Sequence, residues 1–263
     1  GVQTCALPIY CIMPGQDFYH REVAGVNFRD WVADLASGAP VENVQCENCG
    51  VVYEVWEGQP ESSAEWEQVG IMPTPRSENR GVEVNGRFYI PGGWGGERVF
   101  EAFEPASNSW VTLADLPEGR HHFMVTALDG KIYLFGGSPP NAYRPTATSW
   151  LYDPTTDQWS ELADLPQPRL AGAAVTVGDA IYIVGGSTGG GETPTLRYDP
   201  AVDTWAELAA PEQRGEHVAA VAHNGKIYLF GGWEQPRIEL TRLEIYDVAA
   251  DSWSSGGGMR FKR

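Results

Sequence analysis

The chain contains one seven-residue stretch twice, letter for letter, as Lys131–Gly137 and again as Lys226–Gly232. Two variants of the stretch occur at residues 87–93 and 180–186. The second glycines of the four copies stand at positions 93, 137, 186 and 232, so the copies are 44, 49 and 46 residues apart. Self-similarity at such a period is typical of a repeat architecture, and it predicts a chain built from consecutive similar units.

Each copy is a short run of aliphatic and aromatic residues, which is the composition of a buried strand. A turn-forming pair stands directly before each run, and such pairs accept the positive φ of a two-residue hairpin. The pairs are Asn85-Gly86, Asp129-Gly130, Gly178-Asp179 and Asn224-Gly225. Because another apolar run precedes every pair, at residues 81–84, 123–128, 173–177 and 218–222, each unit is predicted to begin with an antiparallel hairpin.

The end of each copy is a pair of glycines, where the backbone can turn sharply or approach a neighbouring segment closely. These pairs are Gly92 and Gly93, Gly136 and Gly137, Gly185 and Gly186, and Gly231 and Gly232. A variable loop follows, and then a third strand that ends in an aromatic–acid pair such as Tyr152-Asp153.

A fourth strand in each unit carries a tryptophan. The four are Trp110, Trp159, Trp205 and Trp253, and an additional one, Trp66, stands 44 residues before the first. A buried indole removes a large apolar area from water, so we expect these tryptophans to anchor one unit to the next. Trp66 is expected to belong to the outer strand of a terminal unit.

Four antiparallel strands per unit, repeated radially, describe the blades of a β-propeller. Hairpin turn, Gly-Gly, Tyr-Asp-Pro and tryptophan in this order resemble the kelch repeat, over about residues 65–263. The departures are small, with Phe103-Glu104 in place of Tyr-Asp in the first unit and Val248 in place of proline in the fourth. The resemblance implies an all-β fold, a kelch-type β-propeller of four-stranded antiparallel blades. Four complete repeats in an incomplete ring are expected, with exposed strand edges that favour aggregation.

Charge excludes one class of partner. The formal net charge is −17, of which residues 66–263 contribute −9 (25 acids, 16 bases) and residues 1–65 contribute −8 (10 acids, 2 bases). Neither part has the basic surface that nucleic acid requires. No apolar run approaches the length of a membrane span. No cofactor is expected.

The first 64 residues differ from the repeats. Residues 1–9 resemble a translated sequencing adapter and are treated as a scar. Residues 10–56 resemble the end of bacterial pectinacetylesterase-like proteins, an α/β-hydrolase type, which adds a short mixed segment to the fold. Within it, apolar residues at 28, 31, 32 and 35 predict a helix in residues 26–35, and residues 51–56 form a strand-like run. Residues 57–64 are polar and read as a linker.

The resemblance to an esterase does not extend to its chemistry. Residues 10–56 contain no Gly-x-Ser-x-Gly elbow, which the family's serine nucleophile would need, and His20 is expected to be a surface or packing residue rather than a base. Cys46 and Cys49 are expected to form a disulfide or remain an unpaired thiol pair, because no second cysteine pair follows to complete a zinc site. No catalytic residue and no metal site are predicted.

Candidate ligand-binding residues gather on one face of the predicted propeller. An arginine stands three residues after a proline in each unit, and a tryptophan follows Gly-Gly in two units. The candidates are Arg76, Arg120, Arg169, Arg214, Trp94 and Trp233. The alternative for the arginines, which we favour, is structural, with guanidinium groups cross-linking adjacent blades. His121, His122, His217 and His223 belong to two different units and are expected to be structural.

The leading hypothesis is a non-catalytic binding propeller, for a protein or an anionic saccharide, attached to a secreted bacterial pectinacetylesterase-like enzyme. The protein is then expected to be extracellular or periplasmic. One alternative is a propeller with its own sugar-directed activity, similar to a sialate mutarotase, and a convergent acid–base pair at the channel mouth would favour it. Another is a purely structural docking propeller.

Overall fold

The computed structural model describes residues 70–234 and 238–259, together with the backbone of four two-residue strands nearer the N-terminus. The chain divides into two compact units, residues 1–68 and residues 69–263. In the first, β1 (Glu22–Val23) pairs with β2 (Val26–Asn27), and β3 (Val44–Gln45) pairs with β4 (Val52–Tyr53). The remaining residues of that unit lie outside the described ones, including Trp66, Cys46 and Cys49.

Two expectations from the sequence of the N-terminal unit can be compared with its described strands. The strand-like run at residues 51–56 contains β4, as predicted. The helix predicted in residues 26–35 does not begin at Val26, because Val26 pairs with Val23 in an antiparallel hairpin that forms β1 and β2. The apolar positions 28, 31, 32 and 35 lie outside the described residues.

The second unit consists of four blades, each an antiparallel sheet of four strands in chain order. Blade 1 contains β5 (Val82–Val84), β6 (Arg87–Pro91), β7 (Phe100–Glu104) and β8 (Ser109–Thr112). Blade 2 contains β9 (Met124–Leu128), β10 (Lys131–Phe135), β11 (Ser149–Asp153) and β12 (Gln158–Leu162). Blade 3 contains β13 (Ala173–Val177), β14 (Ala180–Val184), β15 (Thr195–Asp199) and β16 (Thr204–Leu208).

Blade 4 contains β17 (Ala219–His223), β18 (Lys226–Phe230), β21 (Arg242–Asp247) and β22 (Ser252–Gly258). Between its second and third strands lies a small hairpin of β19 (Trp233–Glu234) and β20 (Ile238–Glu239). The all-β, four-bladed fold predicted from the repeats is therefore confirmed. None of the described residues forms a helix that could span a membrane.

The core lies between neighbouring blades, in three apolar clusters. One joins blades 1 and 2 around Phe100 and Tyr152, one joins blades 2 and 3 around Phe135 and Tyr198, and one joins blades 3 and 4 around Tyr246. Each tyrosine ring lies about 5 Å from the tryptophan of its own blade, at centroid distances of 5.1, 4.8 and 5.1 Å. Aromatic side chains bury large apolar areas, so these pairs help to hold neighbouring blades together.

Polar contacts fix the register of adjacent blades at these clusters. The indole N–H of Trp205 donates to the carbonyl of Ala163 in the preceding blade (2.9 Å), and the amide of Ala163 donates to Oδ1 of Asp203 (2.9 Å). The hydroxyl of Tyr198 donates to the same Oδ1 (2.6 Å). The arrangement recurs for Trp159, Asp157 and Tyr152 on Ala114, and for Trp253, Asp251 and Tyr246 on Ala209. We call this arrangement the inter-blade clamp.

The first blade has the same position without a complete clamp. Phe103 stands where the other blades have a tyrosine, and Asn108 stands where they have an aspartate. The indole nitrogen of Trp110 is buried and finds no hydrogen-bond partner among the described residues. Gly70 occupies the place of the alanine, since a Cβ there would lie 3.6 Å from that nitrogen.

The Gly-Gly pairs allow backbone segments to approach more closely than any side chain permits. Gly136 has φ 57°, and a Cβ there would lie 2.3 Å from the carbonyl oxygen of Arg169 in the next blade. Gly137 has φ 90°, and its Cβ would lie 2.8 Å from the carbonyl oxygen of His121. The expectation of close backbone approach at these pairs is confirmed.

We expect Gly136→Ala to lower the free energy of unfolding far more than Gly178→Ala. Both glycines have nearly the same positive φ, 57° and 61°, so the backbone strain of about 1–2 kcal/mol is shared. Only Gly136 faces a backbone oxygen, whereas a Cβ at Gly178 meets nothing within 4 Å. Denaturant unfolding of both variants measures the difference. Equal losses would show that the contact with Arg169 does not constrain the fold.

Candidate functional site

The segment before each blade's first strand and the loop after each Gly-Gly pair lie on one face of the propeller. We call the segments before the first strands the leading segments, and we call this face the mouth face. Backbone bridges join the two parts in every blade: Ser77 with Trp94, His121 with Ser138, Leu170 with Ser187, and Glu216 with Trp233. The structure therefore places both predicted sets of candidates, the arginines and the two tryptophans, in segments that meet on this face.

Three of the candidate arginines point into their own blades. The side chain of Arg76 is fully buried, and its Nη1 lies 2.5 Å from Oε2 of Glu101 while its Nη2 donates to the carbonyl of Ile90. Arg120 donates to the Thr148 hydroxyl (2.9 Å) and lies 5.0 Å above the ring of Trp150. These side chains brace the leading segment against the second and third strands of the blade it begins.

Arg169 is the most enclosed of the described arginines, with 0% of its surface exposed. Its Nη1 donates to the carbonyl of Pro194 (2.8 Å), just before the third strand of blade 3. Burial lowers the pKa of Arg169 to about 10, so the guanidinium still carries its charge at neutral pH. These three arginine side chains therefore bond within one blade. The arrangement expected from the sequence, in which guanidinium groups cross-link adjacent blades, is not the one that their hydrogen bonds form.

The backbone at these positions makes the links between blades instead. The amide of Gly93 donates to the carbonyl of Arg120, and the amide of Gly137 donates to the carbonyl of Arg169. The amide of Gly186 donates in the same way to the carbonyl of Gly215. These three second glycines are therefore hydrogen-bonded to the leading segment of the next blade, a contact that the glycine pairs make possible.

The fourth arginine, Arg214, departs from the pattern. Gly215 occupies the structural place of the other arginines, and Arg214 is exposed one residue earlier. Arg242, from β21, fills the space beside Gly215, where its Nε donates to the carbonyl of Gly231 and its Nη1 pairs with Glu244 (3.1 Å). The spacing of Arg76, Arg120 and Arg169 to the second glycine is 17 residues, whereas that of Arg214 is 18. This extra residue is the sequence signal for the shift.

Four equivalent backbone positions, one per blade, line the propeller axis. They are Glu78, His122, Ala171 and His217, and all have positive φ, between 50° and 57°. Hydrogen bonds connect them in series, from the amide of His122 to the carbonyl of Glu78, from Ala171 to His122, and from His217 to Ala171. We call these four residues the axial ring. Arg80 also spans from blade 1 to blade 4, where its Nη2 donates to the carbonyl of Val218 (2.6 Å).

Three side chains of the axial ring converge. Nε2 of His122 lies 3.3 Å from Oε2 of Glu78, and Nε2 of His217 lies 3.7 Å from the same oxygen. The two imidazole rings meet edge to face at 5.0 Å. The sequence places these two histidines in different blades and predicts separate structural roles for them, whereas the axial ring brings them into contact.

Burial and neighbouring charge govern the protonation of this group. Burial, with the adjacent imidazoles of His121 and His217, lowers the pKa of His122 to about 4, so that His122 is neutral at pH 7. Burial also lowers the pKa of His121, whose Nδ1 lies 2.5 Å from Nδ1 of His122. His223 stands apart from the group, exposed at the end of β17.

A cleft of about 470 Å³ opens on the mouth face beside the axial ring. Its walls include Tyr143 from blade 2, residues 186–191 from the loop of blade 3, and Arg214 and Trp233 of blade 4. The ring of Trp233 stacks on His217 at 4.9 Å, and Tyr143 meets His122 edge to face at 5.2 Å. Two of the six candidate residues, Arg214 and Trp233, therefore line this cleft.

Trp94 lies at another point of the same face. The residue is 45% exposed, and its ring lies 4.6 Å from that of His121. Glu78, Tyr143 and Glu216 also belong to the site, although none of them is among the candidates predicted from the sequence. Glu78 and His122 both stand two residues after a repeat arginine, so alignment of the leading segments could have found them together.

We expect acid to destabilise the wild-type chain more than a His122→Asn variant. The pKa of His122 is lower in the folded state than the ordinary value of 6.5, so the unfolded chain binds more protons between about pH 6.5 and 4. This contribution to stability is complete above about pH 6.5 and is lost as the pH falls towards 4. Asparagine tolerates the positive φ at this position.

Denaturant unfolding at about pH 7 and 4.5 tests this, with the exposed His223→Asn as the control. The difference in stability between the two pH values should shrink in His122→Asn and stay unchanged in His223→Asn. The same pH dependence in all three proteins would contradict the account of His122.

Comparisons with known proteins agree with this architecture. A family profile described as the KLHDC2/KLHL20/DRC7 Kelch-repeats domain matches residues 61–210, and the Kelch motif matches residues 214–260. Kelch-like protein 13 of Mus musculus is 33% identical over 96 residues, which are 33% of this chain and 14% of that protein. Spermatocyte protein spe-26 of Caenorhabditis elegans is 28% identical over 119 residues, or 41% of this chain and 20% of that protein.

Beta-scruin of Limulus polyphemus is 28% identical over 82 residues, which are 27% of this chain and 9% of that protein. The chain thus matches a fifth or less of the length of these relatives. Among solved structures, that of YjhT superposes with a TM-score of 0.65 at 19% identity, covering 73% of this chain and 69% of that one. At that identity the likeness concerns the fold alone. Since the family profile covers more than half of its residues, the chain belongs to the kelch-repeat family, and its four blades are those of a kelch β-propeller.

Proposed function

We propose that the propeller is a non-catalytic binding module and that a protein segment binds in the mouth-face cleft. Membership of the kelch-repeat family supports a protein-binding role in general. The proposal rests on one observation: Tyr143, Trp233 and Arg214 line the same cleft. Tyrosine, tryptophan and arginine are the residues that most often dominate the binding energy of protein interfaces.

The surroundings of the cleft define the ligand further. Glu216 and Glu234 also line it, so the cleft offers two carboxylates and one guanidinium. The acidic balance of residues 66–263 adds a longer-range attraction for positive charge. A segment with an apolar or aromatic residue for Trp233 and Tyr143, flanked by basic residues, has the complementary chemistry.

An anionic saccharide is the second candidate ligand. Arg214 and Trp233 support it, because a guanidinium can pair with a carboxylate in bidentate geometry and a flat indole can stack on a sugar ring. The burial of Arg76, Arg120 and Arg169 weakens it, since their guanidinium groups are enclosed by their own blades. Weak and salt-sensitive affinity is the form such binding would take.

The wider context of the propeller remains a proposal. Attachment to a secreted bacterial pectinacetylesterase-like enzyme, with an extracellular or periplasmic location, rests on the sequence of residues 10–56. The alternative of a sugar-directed activity draws support from the convergence of Glu78, His122 and His217 at the channel mouth. A purely structural docking role would not require the cleft to bind any ligand.

We expect Trp233→Ala and Arg214→Ala each to weaken binding of a selected peptide at least about tenfold, the effect of a dominant interface residue. The probes are a displayed peptide library varied in aromatic and basic residues and, separately, an oligogalacturonate. Val202→Ala, in an exposed turn between β15 and β16, is the control and should bind as the wild type does.

The outcomes separate the candidates. Peptide binding that depends on Trp233 and Arg214 supports the proposal, and oligogalacturonate binding with the same dependence supports the saccharide instead. Failure of both probes to bind at low salt, or equal binding by all variants, would reject the cleft as the ligand site.

A further inference from the structure

The axial ring presents a set of metal-ligating atoms that its neighbours hold in place. Glu78, His122 and His217 each offer one ligand atom, and these atoms all lie within 4.8 Å of one another. The three residues come from three leading segments that are 44 and 95 positions apart in the chain. Their convergence follows from equivalent backbone positions around the propeller axis.

We propose that Glu78, His122 and His217 together bind one divalent transition-metal ion, with Zn²⁺ as the ion that best suits the ligand set. Two imidazoles and one carboxylate are a ligand set found in catalytic zinc sites. The soft thiolate ligands that favour copper(I) are missing from this set, and so are the several oxygen ligands that calcium prefers.

The separations fit a single ion. With ligand distances of about 2.0–2.2 Å, neighbouring atoms of a tetrahedral zinc site lie about 3.3 Å apart. The distances from Oε2 of Glu78 to the two Nε2 atoms, 3.3 and 3.7 Å, are close to that value. Two ligand atoms at the largest separation, 4.8 Å, would reach about 3.3 Å if each side chain moved by about 1 Å or less.

The surrounding residues orient the two imidazoles. Nδ1 of His122 shares a hydrogen bond with Nδ1 of His121, which directs Nε2 of His122 towards the carboxylate. Trp233 stacks on the ring of His217 with an interplanar angle of 20°. Metal-bound histidines generally have a hydrogen-bond partner on the second ring nitrogen that fixes the ring, and His121 is that partner for His122.

The fourth position of the axial ring leaves the ion accessible. Ala171 stands at the place equivalent to the three ligands and supplies only a methyl group. Three protein ligands leave a coordination position for water or for an atom of a bound molecule. The cleft with Tyr143 and Trp233 borders the same group, so a ligand in the cleft would lie beside the ion. The metal site itself does not depend on what the cleft binds.

The test is a titration of the full chain with Zn²⁺ alone, measured by isothermal calorimetry. Cysteine thiolates are zinc ligands in general, so the titration uses a background with Cys5, Cys11, Cys46 and Cys49 changed to Ser. We expect one zinc ion per chain, and affinity at least about 100-fold weaker in Glu78→Gln and in His217→Asn, because loss of a ligand exceeds the 10–100-fold effect of an outer partner. His121→Asn should fall within that smaller range.

His223→Asn is the matched control, since His223 is an exposed histidine outside the axial ring. Circular dichroism and thermal unfolding in the absence of metal establish that each variant is folded. The proposal is overturned if the cysteine-free parent binds no zinc, if its Glu78 and His217 variants bind as that parent does, or if the His223 variant loses affinity equally. Zinc binding that raises Tm in the cysteine-free parent and not in its Glu78 and His217 variants supports it independently.

Discussion

The propeller depends on one hydrogen-bonded contact that recurs between successive blades. In the inter-blade clamp, the tryptophan N–H and an aspartate oxygen of one blade bond the carbonyl and the amide of a single alanine in the blade before it. The same aspartate oxygen accepts the tyrosine hydroxyl, so the aromatic core and the backbone are fixed by one carboxylate. Apolar burial supplies the driving force between blades, but it is not directional. The clamp supplies the register that burial alone leaves open.

The axial ring is the counterpart of the clamp at the propeller axis. Its residues are linked by backbone hydrogen bonds, so each blade presents the same position to the axis whatever side chain it carries. The fold can therefore accept a carboxylate, an imidazole or a methyl group there without altering the blades. Function is then decided by side chains on a fixed frame. This explains how Glu78, His122 and His217 meet although they are far apart in the chain.

The sequence predicts the blades well because each blade is formed by local features. Turn pairs such as Asn224-Gly225, the Gly-Gly pairs and the tryptophan spacing all act within about 50 residues, the length of one repeat. The site was less predictable for two physical reasons. The contacts of His122 and His217 exist only because different blades converge on one axis. One extra residue before Gly215 moves Arg214 from the interior to the cleft, and Arg242 takes over the buried role from another strand.

The most direct test of the inter-blade clamp compares Asp203→Gly with Asn108→Gly in denaturant unfolding. Both residues occupy the same repeat position with nearly the same positive φ, 51° and 49°, which glycine adopts without strain. Only Asp203 bonds both a tyrosine hydroxyl and the amide of the preceding blade. The account predicts that Asp203→Gly lowers the free energy of unfolding by about 1–2 kcal/mol more than Asn108→Gly does. Equal losses in the two variants would contradict the claim that the clamp holds the blades in register.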